Sequence, residues 1–226
     1  MKHVFTIIIA VLLFLPSSCS TKEDYVSRGN TYAHEGQYDK AIEEYNTAIS
    51  INPNHADAYS NRGIAYGMKG QHDKAIEDFN TAISIDPNLA QAYFNRGVIY
   101  GIKGQYDKEI EDYNKAIKDY TKAIELNHPN LAGAYNNRGL DYALIGKIKE
   151  AEEDIKKAYE LNPDSAAIIS SMAELFSLKN DTNKACEWLR KGIEKYNNKT
   201  WNYIKTSKTF DNIRGSSCYN EIMSGR

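Results

Sequence analysis

Tyr59, Gly63 and Tyr66 fall at i, i+4, i+7, and Ala75, Phe79 and Ala82 repeat that spacing. This is the 3.6-residue period of an amphipathic helix, with polar residues between. The paired blocks recur along the chain. YVSRGNTY (25–32), YSNRGIAY (59–66), YFNRGVIY (93–100) and YNNRGLDY (135–142) align with one another. Each is followed by a second block: GQYDKAIEEYNTAI (36–49), GQHDKAIEDFNTAI (70–83), GQYDKEIEDYNKAI (104–117) and GKIKEAEEDIKKAY (146–159). Gly29, Gly63 and Gly97 are 34 residues apart, as are Pro53 and Pro87, and Pro129 and Pro163. Gly70 punctuates between blocks and Pro87 stops the second helix. Each unit is therefore a helical hairpin.

The second unit reads Tyr59, Arg62, Gly63, Tyr66, Ala75, Phe79 and Pro87 at the signature positions of the tetratricopeptide repeat, which it resembles in length and pattern. Tyr stands for the usual Trp and Arg for Leu. The resemblance covers residues 22–199 and implies an all-α fold, a right-handed α-solenoid of about five hairpins. The units are 22–55, 56–89, 90–131, 132–165 and a degenerate 166–199, with 200–226 as a C-terminal cap. One hairpin cannot bury both faces, so neighbours must stack into a continuous core. Small residues such as Gly63 and Ala82 mark close helix approach. The excess of 17 Tyr over 6 Phe is read as mostly structural, core fillers in register rather than a ligand box.

The third unit departs from the rest. Gly97 to Gly139 is 42 residues, and EDYNKAI (111–117) is followed by KDYTKAI (118–124). Seven added residues are about two helical turns, so the sequence predicts a second helix about 10 Å longer, running through Ile124. The eighth, His128, belongs to the following loop. The lengthened end offers either an extra contact surface or a tolerated duplication. Glu109 replaces the usual small Ala, so packing there must differ. In the fifth unit Ile169, Ala173 and Phe176, then Ala185, Leu189 and Gly192, keep the pattern, but the closing Pro is absent. Trp201, Ile204, Phe210, Ile213, Tyr219 and Ile222 suit one or two short capping helices.

Residues 1–18 are read as a targeting segment outside the fold. Val4 to Leu15 is a run of about a dozen mostly apolar residues behind Lys2, too short for the roughly 20 of a membrane-spanning helix. LPSSCS resembles the lipobox of bacterial lipoproteins, in which Cys19 becomes the lipidated first residue; Pro16 stands where Leu is usual. The expectation is a bacterial envelope protein anchored to membrane by lipid, with plain secretion or an uncleaved anchor as alternatives. If Cys19 is lipidated, Cys186 and Cys218 remain to form a disulfide in an oxidising compartment or to lie buried as separate thiols.

Net charge is −2 with both signs interspersed, which gives no source for nucleic-acid binding. The three cysteines lack CxxC spacing, so no metal is expected. No catalytic motif, P-loop or nucleotide fingerprint occurs, so neither enzyme activity nor a cofactor is expected.

The resemblance implies binding of a protein or peptide partner along a concave face lined by first helices. Its positions fall on Asn30, Asn61, Ile64, Met68, Phe94, Val98, Ile102, Asn136, Leu140 and Leu144. The groove is polar at its N-terminal end and apolar towards units three and four, which suits an apolar segment or amphipathic helix. Gly67, Gly101 and Ala143 would let a guest backbone approach, unless these positions pack on neighbouring repeats. Asn30 and Asn61 match two positions of the family's carboxylate clamp, but Val26, Gln91 and Asn95 stand where its cations belong, so chaperone tails are not expected guests. Arg28, Arg62, Arg96 and Arg138 recur in every unit. They either pair with acidic residues between repeats, such as those in the steps at 43–44, 77–78 and 111–112, or bind an anionic polymer. The inferred role is a scaffold or adaptor for envelope proteins, the alternative a structural subunit of a secretion or pilus assembly.

Overall fold

Gly70 turns the chain between two helices at φ 71°, a left-handed conformation that L side chains rarely adopt, and Gly36, Gly146 and Asn180 do the same in three other units. In the computed structural model these turns close four of five antiparallel hairpins. The structure describes residues 22–107, 110–196 and 207–224. The targeting segment, Cys19, Glu109, Trp201 and Ile204 lie outside the described residues.

The hairpins are α1 (Lys22–His34) with α2 (Tyr38–Ile51), α3 (Ala56–Met68) with α4 (His72–Ile85), α5 (Ala90–Asp107) with α6 (Ile110–Glu125), α7 (Leu131–Leu144) with α8 (Ile148–Leu161), and α9 (Ala166–Leu178) with α10 (Thr182–Tyr196). A 3-10 turn (Lys208–Phe210) and α11 (Ser217–Ser224) follow. No strand occurs among the described residues. Successive first helices touch one another, whereas successive second helices stand further apart. The first helices therefore line the inner side of a helical solenoid.

The packing is repetitive because the sequence is. A Cβ on Gly63 would lie 2.9 Å from the Phe79 ring, and one on Gly97 2.9 Å from the Tyr120 ring. Each glycine thus admits the aromatic of its own hairpin partner. Ala58, Ala92 and Ala134 are fully buried, Ala92 in one cluster with Ala75, Phe79 and Ala82 of the preceding hairpin. The equivalent residue of the first repeat is Asp24, which is exposed. At this position the first repeat is therefore polar where later repeats carry a buried alanine, as suits a solenoid end. Each buried Phe, Leu or Ile contributes roughly 1.5–3 kcal/mol of transfer free energy, and the fully buried Tyr45, Phe79, Ile155, Leu175 and Leu189 are spread over the length of the array.

The third hairpin differs from the expected lengthening. The second helix was to carry all the added turns; instead α5 has 18 residues against 13 in α3, and α6 has 16 against 14 in α4. Gly104, the counterpart of the turn glycine Gly70, continues α5 and packs on the Tyr113 ring, 3.0 Å from where its Cβ would be. The register explains the change. Had EDYNKAI taken the usual place, Glu109 would stand at the fully buried Ala75 position. Sliding by seven residues puts the fully buried Ala116 there and Tyr120 at the Phe79 position. The displaced turns then extend both helices.

The C-terminal segment covers the far end. Phe210, Ile213, Tyr219 and Ile222 join Met172, Leu175, Phe176 and Leu189 in one apolar cluster. Ser177 Oγ donates to the Thr209 carbonyl at 2.6 Å, and Asn212 Nδ2 to the Ser177 carbonyl at 3.3 Å. Ser177 occupies the position at which Gly67 meets Ile99 of the next first helix. The tail thus stands in for a sixth first helix. Cys186 and Cys218 form a disulfide joining α10 to α11, with Cα atoms 6.2 Å apart.

Candidate protein-interaction surface

The arginine ladder is committed internally. Arg62 donates through Nε and Nη2 to the two oxygens of Asp78 at 2.8 and 2.7 Å. Arg138 grips Asp154 in the same way at 2.6 and 2.8 Å. Arg28 meets Glu44 Oε2 from both nitrogens. The 77–78 and 43–44 steps are thus the partners expected. Arg96 is not paired with 111–112: its partner is Asp119, at 2.7 Å for both bonds, because of the shifted register. Asp112 instead meets Lys115. Each pair lies within one hairpin and not between repeats as expected, because the second helix of the arginine's own hairpin carries the acid. The link between repeats runs through the third nitrogen, Nη1, which donates to Asn46 from Arg62, to Asn80 from Arg96 and to Thr121 from Arg138. Tyr59, Tyr93 and Tyr135 lie under the same guanidinium groups. With these donors and faces engaged, the ladder is part of the fold rather than an anionic-polymer site.

The predicted groove residues divide into four groups. Asn30 Oδ1 accepts from Tyr45 Oη at 2.8 Å and from Asn61 Nδ2 at 3.0 Å, so the two asparagines join α1 to α3. Burial pushes the Tyr45 hydroxyl up to about 12, so it stays a donor. Phe94 stacks on His128, with centroids 4.3 Å apart and planes 9° apart, and meets Tyr120 edge-on. His128 Nδ1 accepts from the Asn130 N–H, so its Nε2 donates to Gln91 Oε1 at 2.9 Å. Burial lowers the imidazole pKa, in keeping with this neutral tautomer. Asn136 is buried with Oδ1 unpartnered among the described residues, and Leu140 packs against the C-terminal cluster.

The remaining residues face outwards to differing degrees. Met68 is 62% exposed and Leu144 44%, while Ile64, Val98 and Ile102 are half-buried. Met68, Ile102 and Leu144 hold the same position on α3, α5 and α7, so the repeat sets three apolar side chains in register on successive first helices. The small residues are not open to a guest backbone as expected. A Cβ on Gly67 would lie 2.9 Å from Ile99 Cδ1, Gly101 faces the Asp141 carboxylate, and Ala143 is buried in the C-terminal cluster. The next first helix fills the space that their missing side chains leave.

Comparison with known proteins accords with this architecture. A TPR repeat model matches residues 29–70, and tetratricopeptide repeat models match 56–89 and 88–164. The chain belongs to the tetratricopeptide repeat family. Proteins of this family are in general protein-interaction modules rather than enzymes. Among curated proteins there is no significant match. Among solved structures, the TPR array is similar to PilW, titled a widely conserved type IV pilus biogenesis factor, with 19% identity, TM-score 0.76, and coverage of 90% of this chain and 91% of that one. The Pseudomonas aeruginosa pilF protein gives 19% identity and TM-score 0.69, covering 91% and 97%. MamA from Desulfovibrio magneticus RS-1 gives 20% and 0.67, covering 76% and 93%. At these identities the likeness is one of fold.

Two features of this TPR protein escape sequence pattern. The His128–Gln91–Asn95 chain, completed by the Gln91 Nε2 bond to Asn95 Oδ1 at 3.0 Å, depends on the extra loop residue, which has no counterpart in the other units. Asp141 takes a place held by Ala65, Ile99 and Leu175 elsewhere. That substitution is visible on alignment of the repeats, but its burial is not.

Proposed function

We propose that the protein is an extracytoplasmic scaffold, held at a bacterial membrane by lipidated Cys19, that gathers envelope proteins along its first helices. Met68, Ile102 and Leu144, in register on successive first helices, carry the binding part of this reading. Exposed apolar side chains so placed are unpartnered area that a protein segment buries. The Val4–Leu15 run before Ser17, Ser18 and Cys19 supports the location, as does the Cys186–Cys218 disulfide, which suits an oxidising compartment. Among the described residues no helix is long and apolar enough to cross a membrane.

Affinity capture from membranes tests the reading, comparing wild type with Met68→Asp/Leu144→Asp. Both side chains are exposed, so the fold survives the change. Loss of captured partners is expected; an unchanged set would sink the groove. A Cys19→Ser variant should move from the membrane to the soluble fraction. A second reading, a fixed subunit of an envelope assembly, draws on the fold shared with PilW and the pilF protein. It requires stoichiometric co-purification, whereas an adaptor purifies as a monomer.

A further inference from the structure

Asp141 stands on α7 where the third hairpin meets the fourth. Ala65, Ile99 and Leu175 fill this place in other repeats. The carboxyl is 5% exposed, and Oδ2 has no hydrogen-bond partner among the described residues. Asn136 Oδ1, earlier on α7, is buried and unpartnered among them as well. Across the joint, a Cβ on Gly101 of α5 would lie 3.5 Å from both carboxylate oxygens. Asp141 therefore fills the contact between two first helices, and water reaches it only if they part.

Fastenings used at the other joints are missing from this one. Lys69 bonds Asp39, Lys103 bonds Asp73 and Lys179 bonds Glu152, each from the end of a first helix to the preceding second helix. Ile145 holds the corresponding place after α7. The apolar clusters break at the same point. Two of them run from α1 to α5 and share Tyr66, whereas the third takes in Leu140 and Ala143 of α7 and continues through the tail. Among the described residues none of the three crosses from the third hairpin to the fourth. The bond from Arg138 Nη1 to Thr121, at 2.9 Å, does cross.

No neighbouring charge answers Asp141. From α5 it meets Gly101, and from α6 Tyr113 and Tyr120, whose hydroxyls are raised by burial and then by the Asp141 charge, so both stay neutral. On α8, Asp154 is held by Arg138, and α9 carries Glu174. His128, in the loop before α7, is kept neutral by burial. Burial is the single cause that pushes Asp141 up from 3.8 to about 8. An ionised, unpaired carboxylate is relieved by hydration. Because each joint of a stacked array contributes separately, that charge weakens one joint and leaves the others. The closed joint thus loses about tenfold in its favour for each pH unit between 3.8 and about 8, and no more above.

We propose that the joint between the third and fourth hairpins is a pH-operated hinge, closed over protonated Asp141 and opened by its ionisation, which divides the array into two bodies: hairpins one to three, and hairpins four and five with the disulfide-pinned tail. Opening parts Ile102 from Leu144 and so bears on any guest held across them, but the hinge does not rest on the groove reading.

Distances between nitroxide labels on the mature protein test it, with labels carried on genetically encoded ketone residues so that the cysteines are untouched. Exposed Glu77 and Glu187 report across the joint, Glu43 with Lys118 within the first body, and Lys156 with Asn220 within the second. In wild type the Glu77–Glu187 distribution should shift to longer distance as pH rises from about 6.5 to about 8 and then level off. The two pairs within bodies should not move. Asp141→Asn, and Asp141→Leu with the residue of Leu175, should hold the short distance throughout. A wild-type Glu77–Glu187 distance that ignores pH overturns the hinge. So does a shift that persists in either variant, or one that the pairs within bodies share. With two variants, a folding failure of one leaves the other to decide.

Discussion

Arg62 and Arg28 carry the same motif with different consequences. Arg62 neutralises the buried Asp78, whereas Arg28 is 46% exposed over a partly exposed Glu44. Arg62→Ala strands a buried carboxylate and should lower stability by about 3–5 kcal/mol; Arg28→Ala should change it by less than about 1 kcal/mol. Urea midpoints check both. Asp141 contributes in the opposite sense. Its folded pKa of about 8 stands well above the unfolded 3.8, so the folded state binds the extra proton between these values. Its stability contribution is present below about pH 4 and is lost as pH rises through about 8. Asp141→Asn should therefore be more stable than wild type at pH 8 by about 2–4 kcal/mol, with the difference closing at pH 4, as urea melts at the two pH values would show. That the arginines pair with acids was legible from recurrence, and so were the partners of Arg28 and Arg62; the Asp119 partner of Arg96 was not. The third arginine contact was not, because Asn46 and Asn80 give way to Thr121, which hides the repeat. The burial of Asp141 was not legible either, since it depends on Gly101 and two tyrosines from other helices.

At the scale of elements, hairpin boundaries followed directly from Gly36, Gly70 and Gly146, whose φ values are 76, 71 and 82°, and from proline spacing. The third unit did not follow, because a duplicated segment offers two registers and hydrophobic period cannot choose between them. Packing chose: Ala116, not Glu109, suits the crowded site between helices. Deletion of residues 111–117 returns the unit to nearly regular length but places Glu109 at the Ala75 position. That deletion should be destabilised by several kcal/mol, on the order of 3 kcal/mol or more for a buried unpaired charge. Adding Glu109→Ala to it should recover most of the loss. Thermal melts of the two deletions side by side would show whether the register explanation holds.

The whole molecule is an open array with two unlike ends. Asp24 puts a polar residue at the first end, and the tail closes the last over Phe176 and Leu189. The need for a cap was legible in the degenerate fifth unit, but its form as a 3-10 turn standing in for a first helix depends on tertiary contact. The disulfide closes a separation of 32 residues, so its reduction should lower stability by about 3–4 kcal/mol. Denatured, unreduced mature protein should show no free thiol from Cys186 or Cys218. Between these ends, the inner side is where the account places function. The most direct test is photo-crosslinking in the native membrane, with a photoreactive residue at Met68, Ile102 or Leu144 of the first helices, or at the exposed Glu77 and Lys156 of the second helices. Crosslinks to partner proteins from the first three positions alone are the predicted result; crosslinks from Glu77 and Lys156 with none from those three would contradict it.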